Sequence, residues 1–272
     1  MAAAVAAELR ATGHTVVTPS WNEYLRPGSD LRASLLRPLL TSTVGALYAG
    51  ARDSEGIAVL DTLASRGKNL VSDAGEPLVT ERDLGRLDIA SNRPESLLAA
   101  GLSMLAAQLL MHELVVRPAL AEGCTVIQDS HGIKAVVKSI VLADRSLPRN
   151  SDAEPVREFR SFLWSCLRTW AAPSMGVLLT GDPRTALQRK TAARDLTFTE
   201  HFGLTGAGGE SSFVSFQERL QDELRVLAGG AGWTEVTVRG GTKDESVSAT
   251  VDVVLAMMAT PVPSGAGRSE PA

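Results

Sequence analysis

Hydrophobic residues recur with helical spacing over most of this chain and alternate with polar ones over only a few short stretches. The opening MAAAVAAELR places Val5 and Leu9 one turn apart, with no N-cap residue before them. A helix is therefore predicted from the first residues to Gly13, followed by a short β-branched strand at His14–Thr18. A helix that leads straight into a strand is the later part of a β-α-β unit, and the first strand of that unit is missing here.

The rest of the chain continues as helices and strands in alternation. Predicted strands cover residues 69–72, 124–128, 175–180 and 233–238. Predicted helices cover residues 31–40, 56–65, 94–121, 133–143 and 154–170, a stretch from 184, and residues 212–228 and 246–258. Pro38 is expected to distort the end of the helix that begins at Leu31. Strands separated by helices of this length predict an α/β fold with a parallel sheet flanked by helices.

One domain accounts for nearly the whole pattern. We assign it to residues 1–259, with 41–95 as an atypical insertion whose elements are hard to read. Residues 260–272 are rich in Pro, Gly and Ser and are predicted to be a disordered tail.

Composition excludes several functional classes. The 272 residues are 44% hydrophobic and carry 27 basic against 31 acidic side chains, a formal net charge of -4. This balance excludes a mostly disordered chain, and it lacks the basic excess of a nucleic-acid-binding protein. Cys124 and Cys166 stand in unrelated contexts, which predicts neither a disulfide framework nor a zinc site.

The most apolar stretch, residues 96–111, is interrupted by polar residues and is shorter than the ~20 residues that a membrane span needs. We interpret it as a buried core helix and predict no membrane partner. A reducing, cytoplasmic location fits this composition best.

Candidate chemistry lies near the carboxyl ends of two predicted strands, where open parallel sheets bind their ligands. Asp129 ends the strand at 124–128 and could hold a metal ion, directly or through water, or could be a plain N-cap. Arg189, Lys190 and Arg194 lie on and after the helix that begins near 184. These cations could stabilise a phosphoryl group in transfer, or could form a solvated basic face.

Five segments in order resemble the thymidylate kinases, which belong to the P-loop nucleoside-monophosphate kinases. The segments are 6–17 (AAELRATGHTVV), 26–40 (beginning RPG and ending LRPLL), 116–129 (VRPALAEGCTVIQD), 177–190 (VLLTGDPRTALQRK) and 213–224 (FVSFQERLQDEL). The resemblance covers about two-thirds of the chain, and its specificity comes from the order of the segments rather than from one motif.

The resemblance implies a P-loop NTP hydrolase-like fold and transfer of the γ-phosphoryl group of ATP, with Mg²⁺, to a nucleoside monophosphate such as dTMP. Asp129 would be the acid that holds the metal ion. Arg189, Lys190 and Arg194 would be lid cations over the phosphates, and Arg26 would contact the phosphate of the substrate. Family members are commonly homodimers through the helix that corresponds to residues 94–121, which implies the same here.

The sequence departs from the family pattern at three places. The motif G-x-x-x-x-G-K-[ST] occurs nowhere in the chain, and by alignment the first strand and phosphate loop would fall just before Met1. We therefore expect the natural start to lie upstream.

The second and third departures concern the side that binds the acceptor. The family's Asp-Arg pair falls on Ala107 and Gln108. Gln108 can still form a hydrogen bond to a base, but it cannot pair with a phosphate. Ser130 replaces the arginine that follows Asp129. Lys134 and Lys138, one turn apart on the next helix, could supply the lost charge or could be exposed lysines on a helix face.

Two functions stay open at this point. One is an active kinase for dTMP or a related acceptor, made from an upstream start. The alternative is a degenerate, non-catalytic relative that binds a nucleotide weakly or serves as an interaction module.

Overall fold

The computed structural model describes residues 1–25, 30–65, 67, 87, 89–129, 132–148, 152–192, 196, 209–238 and 242–259. These residues form a mixed α/β fold that is mostly helical and contains small parallel sheets. The broad α/β prediction is thereby confirmed.

The helices follow the predicted order along the chain. They are α1 (Ala2–Ala11), α2 (Trp21–Leu25), α3 (Leu31–Ala49), α4 (Val59–Ser65), α5 (Pro94–Met111), α6 (Arg117–Ala121), α7 (Ile133–Ser146), α8 (Glu154–Trp170), α9 (Pro183–Thr191), α10 (Gly209–Ala231) and α11 (Lys243–Ala259). A π-helical segment, His112–Val116, joins α5 to α6, so these elements form one long helix.

The strands form two separate parallel pairs in the part of the chain that the structure describes. Strand β1 (Val16–Val17) pairs with β2 (Thr125–Val126), with Val16 opposite Thr125. Strand β3 (Val177–Gly181) pairs with β4 (Thr234–Val238), with Val177 opposite Thr234. The parallel pairing was predicted. The sequence also predicted one parallel sheet, but these four strands form two separate pairs.

Helix α5 lies in the main core, between α3 and α7. The core also contains side chains from α8 and α10, and Ile140, Leu163 and Phe216 in it are fully buried. The long helix Pro94–Ala121, with a mean hydropathy of 1.5 over its most apolar window, has the length and composition of a membrane span. That is weak evidence for a span, because the core helices of soluble proteins can have the same length and apolar composition.

A smaller apolar cluster holds α1 against β1 and α11. Val5, Leu9 and Val16 are buried in it, and Val254 of α11 packs against them. The start of the chain is thereby fixed beside the first sheet.

The sequence predicted a helix at 31–40 whose end Pro38 distorts. The observed helix α3 instead continues past Pro38 to Ala49. Proline removes one backbone hydrogen bond from a helix, but packing can offset that loss. Leu36 and Leu40, on either side of the proline, are buried against α5, and Ser103 Oγ of α5 donates a hydrogen bond to the Leu39 carbonyl at 2.8 Å.

The helix predicted at 56–65 begins later, at Val59. Asp53 Oδ1 accepts the backbone N–H groups of Glu55 and Ile57 at 3.0 and 2.8 Å, which fixes a turn before the helix. The predicted strand at 69–72 and the predicted disordered tail at 260–272 lie outside the described residues.

Candidate functional site

A cleft of about 1990 Å³ lies between the two sheets. Thr125 and Val126 of β2 line one side of it, and Val177 and Leu179 of β3 line another. The segments that leave these two strands, including Asp129, also line the cleft. The carboxyl ends of β2 and β3 therefore open into one space, as expected for a ligand site in a parallel α/β fold.

Asp129 and Lys134 reach the cleft from the connection between β2 and α7. Asp129 follows β2 directly, and Lys134 lies in the first turn of α7. Gly132 stands before that helix with a positive φ of 54°, a conformation that favours glycine. A carboxylate and an ammonium group thus both line the cleft at the start of α7.

Arg189 reaches the cleft from α9, whose start is fixed by Asp182. The Asp182 carboxylate accepts the N–H groups of Arg184 and Thr185, each at 3.1 Å, and the Thr185 hydroxyl at 2.8 Å. These hydrogen bonds, above all the one from the Thr185 hydroxyl, lower the pKa of Asp182. The Asp-Pro pair at positions 182 and 183 is a capping signal that the sequence itself carries.

A polar network fixes the end of β3. The buried Thr180 hydroxyl donates to Glu235 Oε1 at 2.7 Å, and Arg225 Nε donates to the same oxygen at 3.0 Å. Both bonds lower the pKa of Glu235, the threonine bond more than the arginine bond. The Gln221 amide bonds both backbone groups of Gly181 at 3.0 and 3.2 Å. None of these contacts was foreseen from the sequence, because they join residues distant along the chain.

Gln108 lies in the core rather than on the wall of the cleft. It is fully buried in α5, and its amide lies directly below Gly132.

The cleft thus collects Asp129 and Lys134, which lie close together in the sequence, and Arg189 from α9. Lys190 lies beside Arg189 on α9 but does not line the cleft. Arg26, Ser130 and Arg194 lie outside the described residues, so their assigned roles stay predictions.

Asp129 is the carboxylate that the sequence analysis assigned to a metal ion, and it lines the cleft. Among the described residues, no group of three His, Cys, Asp or Glu side chains comes together. Mg²⁺ commonly takes one or two carboxylates and completes its shell with water and substrate phosphates. The single carboxylate of Asp129 at the end of β2 is compatible with that arrangement.

Neither a protein-family model nor a curated protein sequence matches this chain.

Proposed function

We propose that this chain belongs to an ATP-dependent nucleoside-monophosphate kinase that resembles the thymidylate kinases, with a P-loop-type α/β fold. The observation that carries the proposal is that Asp129, Lys134 and Arg189 line one cleft beyond the ends of parallel strands. Phosphoryl transfer requires positioning and charge stabilisation more than covalent chemistry, and one carboxylate with two cations supplies the charges it needs.

Each side chain has a distinct role in this proposal. Asp129 would hold Mg²⁺, directly or through water, and the bound ion would neutralise phosphate oxygens of ATP. Arg189, assisted by Lys190 and Arg194, would bind the phosphoryl group during transfer. Lys134 would bind the phosphate of the acceptor in place of the arginine that Ser130 replaces.

The phosphate cradle remains the critical requirement, since the 272 residues contain no G-x-x-x-x-G-K-[ST] motif. The active form in this proposal is therefore a polypeptide that carries such a loop ahead of Met1. The absence of the motif favours the second candidate, a non-catalytic relative that binds nucleotide weakly or serves as an interaction module.

The deciding experiment begins with the intact mass of the protein purified from its natural source. That protein is then assayed for ADP release with a panel of nucleoside monophosphates. A mass above 28.7 kDa, a phosphate-loop motif in the additional segment and turnover with one acceptor are expected. A mass that matches the 272 residues, with no turnover for any acceptor, would contradict the kinase proposal and leave the non-catalytic candidate.

Variants locate the site if turnover is present. Arg189→Ala is expected to lower kcat/KM by about 10²-fold or more, because it removes a cation that would stabilise the phosphoryl group during transfer. Asp129→Asn and Arg194→Ala should abolish turnover. Arg184→Ala is the matched control, since Arg184 lies exposed on the same helix and does not line the cleft. Unchanged activity in both Arg194→Ala and Asp129→Asn would show that the assigned site is wrong.

A further inference from the structure

Helix α9, which carries Arg189, is not held in place by a buried apolar face. None of its residues from Pro183 to Thr191 is buried. Its principal neighbour in the described part of the chain is α10. A helix of nine residues is marginal in water, because most helical stability in proteins comes from packing of an apolar face. The direction in which α9 leaves the sheet therefore depends strongly on what fixes its start.

The residue before the Asp182 cap, Gly181, ends β3 on an edge that has no partner strand among the described residues. The Thr234 N–H donates to the Gly176 carbonyl at 2.9 Å. Since alternate residues of a strand bond to the same neighbour, the residues of β3 that bond to β4 are the even-numbered ones. The N–H and C=O of Gly181 consequently point to the opposite edge.

The Gln221 amide supplies the two hydrogen bonds that a neighbouring strand would make with Gly181. Its Oε1 accepts the Gly181 N–H at 3.2 Å, and its Nε2 donates to the Gly181 carbonyl at 3.0 Å. Because both backbone groups are bound, the end of β3 can neither rotate nor move away from α10 without losing a hydrogen bond. One side chain thus fixes both the position and the orientation of the residue that precedes the cap.

Gln221 is itself anchored in the core through α10. Its neighbour Leu220 and Phe216, one turn earlier, are fully buried in the main core. Arg225, one turn later, donates to Glu235 of β4 at 3.0 Å. Helix α10 therefore holds both strands of this sheet and is a firm support for the amide of Gln221.

The distance from the cap to Arg189 makes the cleft sensitive to the direction of α9. The rise of a helix places Arg189 about 10 Å along the axis from Asp182. A tilt of about 10° at the cap would therefore displace Arg189 by about 2 Å. A misplacement of about 1 Å can lower a reaction rate by about 10²-fold where reacting groups must be held in one geometry. An anchor at Gly181 consequently controls a charge at the other end of the helix.

We propose that Gln221 is a positioning residue for Arg189. By binding both backbone groups of Gly181, its amide sets the direction of α9 and so places the Arg189 guanidinium at the cleft. This inference rests on the proposed function for the action of Arg189 on a phosphoryl group, whereas the direction of α9 can be measured without turnover. Gln221 acts through Arg189 and need not touch the substrate.

Three variants of the natural protein test the proposal. Gln221→Met keeps the length of the side chain and its apolar stem and removes both hydrogen bonds to Gly181. Thr180→Val removes the hydrogen bond to Glu235 at the same end of β3 and leaves Gly181 bound, so it is the control for a general loss of stability. Glu218→Met is the matched control, because Glu218 lies exposed on the same helix and does not line the cleft.

Residual dipolar couplings of the backbone N–H groups measure the direction of α9 relative to α10. In Gln221→Met the couplings of α9 are expected to fall by about a third relative to those of α10, as for a segment that passes from rigid to mobile. Thr180→Val and Glu218→Met should retain the couplings of the parent protein. Unchanged couplings of α9 in Gln221→Met would overturn the proposal.

Kinetic measurements separate positioning of Arg189 from a merely structural role. Gln221→Met is expected to lower kcat by about tenfold or more with little change in KM, because the displaced guanidinium is needed in the transition state. In an Arg189→Ala background the same substitution should cause no further loss, since Gln221 acts through Arg189. An equal loss of kcat in both backgrounds would overturn the proposal.

The two measurements distinguish a failure of this inference from a failure of the proposed function. If the natural protein shows no turnover with any acceptor, the kinase proposal fails, and the couplings of α9 in Gln221→Met still decide whether the amide positions the helix. If turnover is present and α9 keeps its direction in Gln221→Met, the positioning role alone is excluded.

Discussion

At the residue scale, the start of α7 depends on glycine at position 132. The positive φ of Gly132 is strained for any residue with a Cβ, and an added Cβ would also collide with the Gln108 amide. Gly123 has a positive φ of 79° as well, but an added Cβ there would meet no atom within 4 Å. Substitutions at these two glycines therefore distinguish the energetic cost of backbone strain from that of steric overlap.

Gly132→Ala is expected to lower the free energy of unfolding by about 2 kcal/mol or more, through strain and overlap together. Gly123→Ala, which adds strain alone, should cost about 1 kcal/mol. Urea denaturation of both variants measures the difference. Equal losses would show that the Gln108 amide moves aside at no cost.

The Asp182 cap makes a pH-dependent contribution to stability. Its pKa is lowered in the folded chain, mainly by the Thr185 hydroxyl, so its stabilisation is complete above the ordinary value of 3.8 and is lost as pH falls through the folded pKa. Asp182→Ala should therefore be less stable than the parent at pH 7, and the difference should shrink in acid. Asp182→Asn is the control, since asparagine caps helices without titrating. A difference that is independent of pH would contradict the assignment, and thermal melts across pH 2–7 would detect it.

At the element scale, the sequence predicted well those helices whose limits follow from their own spacing of apolar residues. Helix α8 was predicted with its observed limits, because its apolar face follows a strict helical period. The continuation of α3 past Pro38 was not predictable, because it depends on packing against α5. The sequence placed Asp129 and Arg189 near the carboxyl ends of strands, and both line the cleft. The Gln221–Gly181 pairing joins distant residues and leaves no local signal.

Pro38→Ala is expected to raise the free energy of unfolding by about 2 kcal/mol, because alanine restores a helical N–H and removes a ring that opposes the helix. Pro155→Ala is the control, since Pro155 lies in the first turn of α8, where proline is tolerated. Chemical denaturation of both variants provides the measurement. A loss of stability in Pro38→Ala would show that α3 needs a bend to fit α5.

The ion pair between Arg160 of α8 and Glu223 of α10 is expected to couple these helices by about 1 kcal/mol in a double-mutant cycle. Its atoms are 3.0 Å apart, and the side chains are only 26% and 21% exposed. The exposed pair of Arg117 and Glu113 should give about 0.3 kcal/mol, because water screens it. Equal coupling energies in the two cycles would contradict this reasoning.

At the scale of the whole molecule, the buried apolar side chains of the described residues form four clusters, two of which are the main helical cluster and the cluster of α1, β1 and α11. Ile140 belongs to the first and Leu9 to the second. The cleft lies between β2, beside the smaller cluster, and β3. The two clusters are consequently expected to differ in local stability.

Ile140→Ala should lower global stability by about 3 kcal/mol, because it leaves a cavity in the main core. Leu9→Ala should instead accelerate amide exchange mainly in α1, β1 and α11, where local opening is enough for exchange. Hydrogen exchange resolved along the chain distinguishes the two patterns. Uniform acceleration in Leu9→Ala would show that the clusters unfold as one unit.

The parallel pairing of Val16 with Thr125 also constrains how the chain can be made. The two strands are about a hundred residues apart in the sequence, so β1 emerges from the ribosome long before its partner exists. During that interval the apolar face of α1 has neither β2 nor α11 to cover it. Synthesis of this chain therefore exposes the hydrophobic face of α1 for many seconds, and a chaperone that binds nascent chains would find a target there.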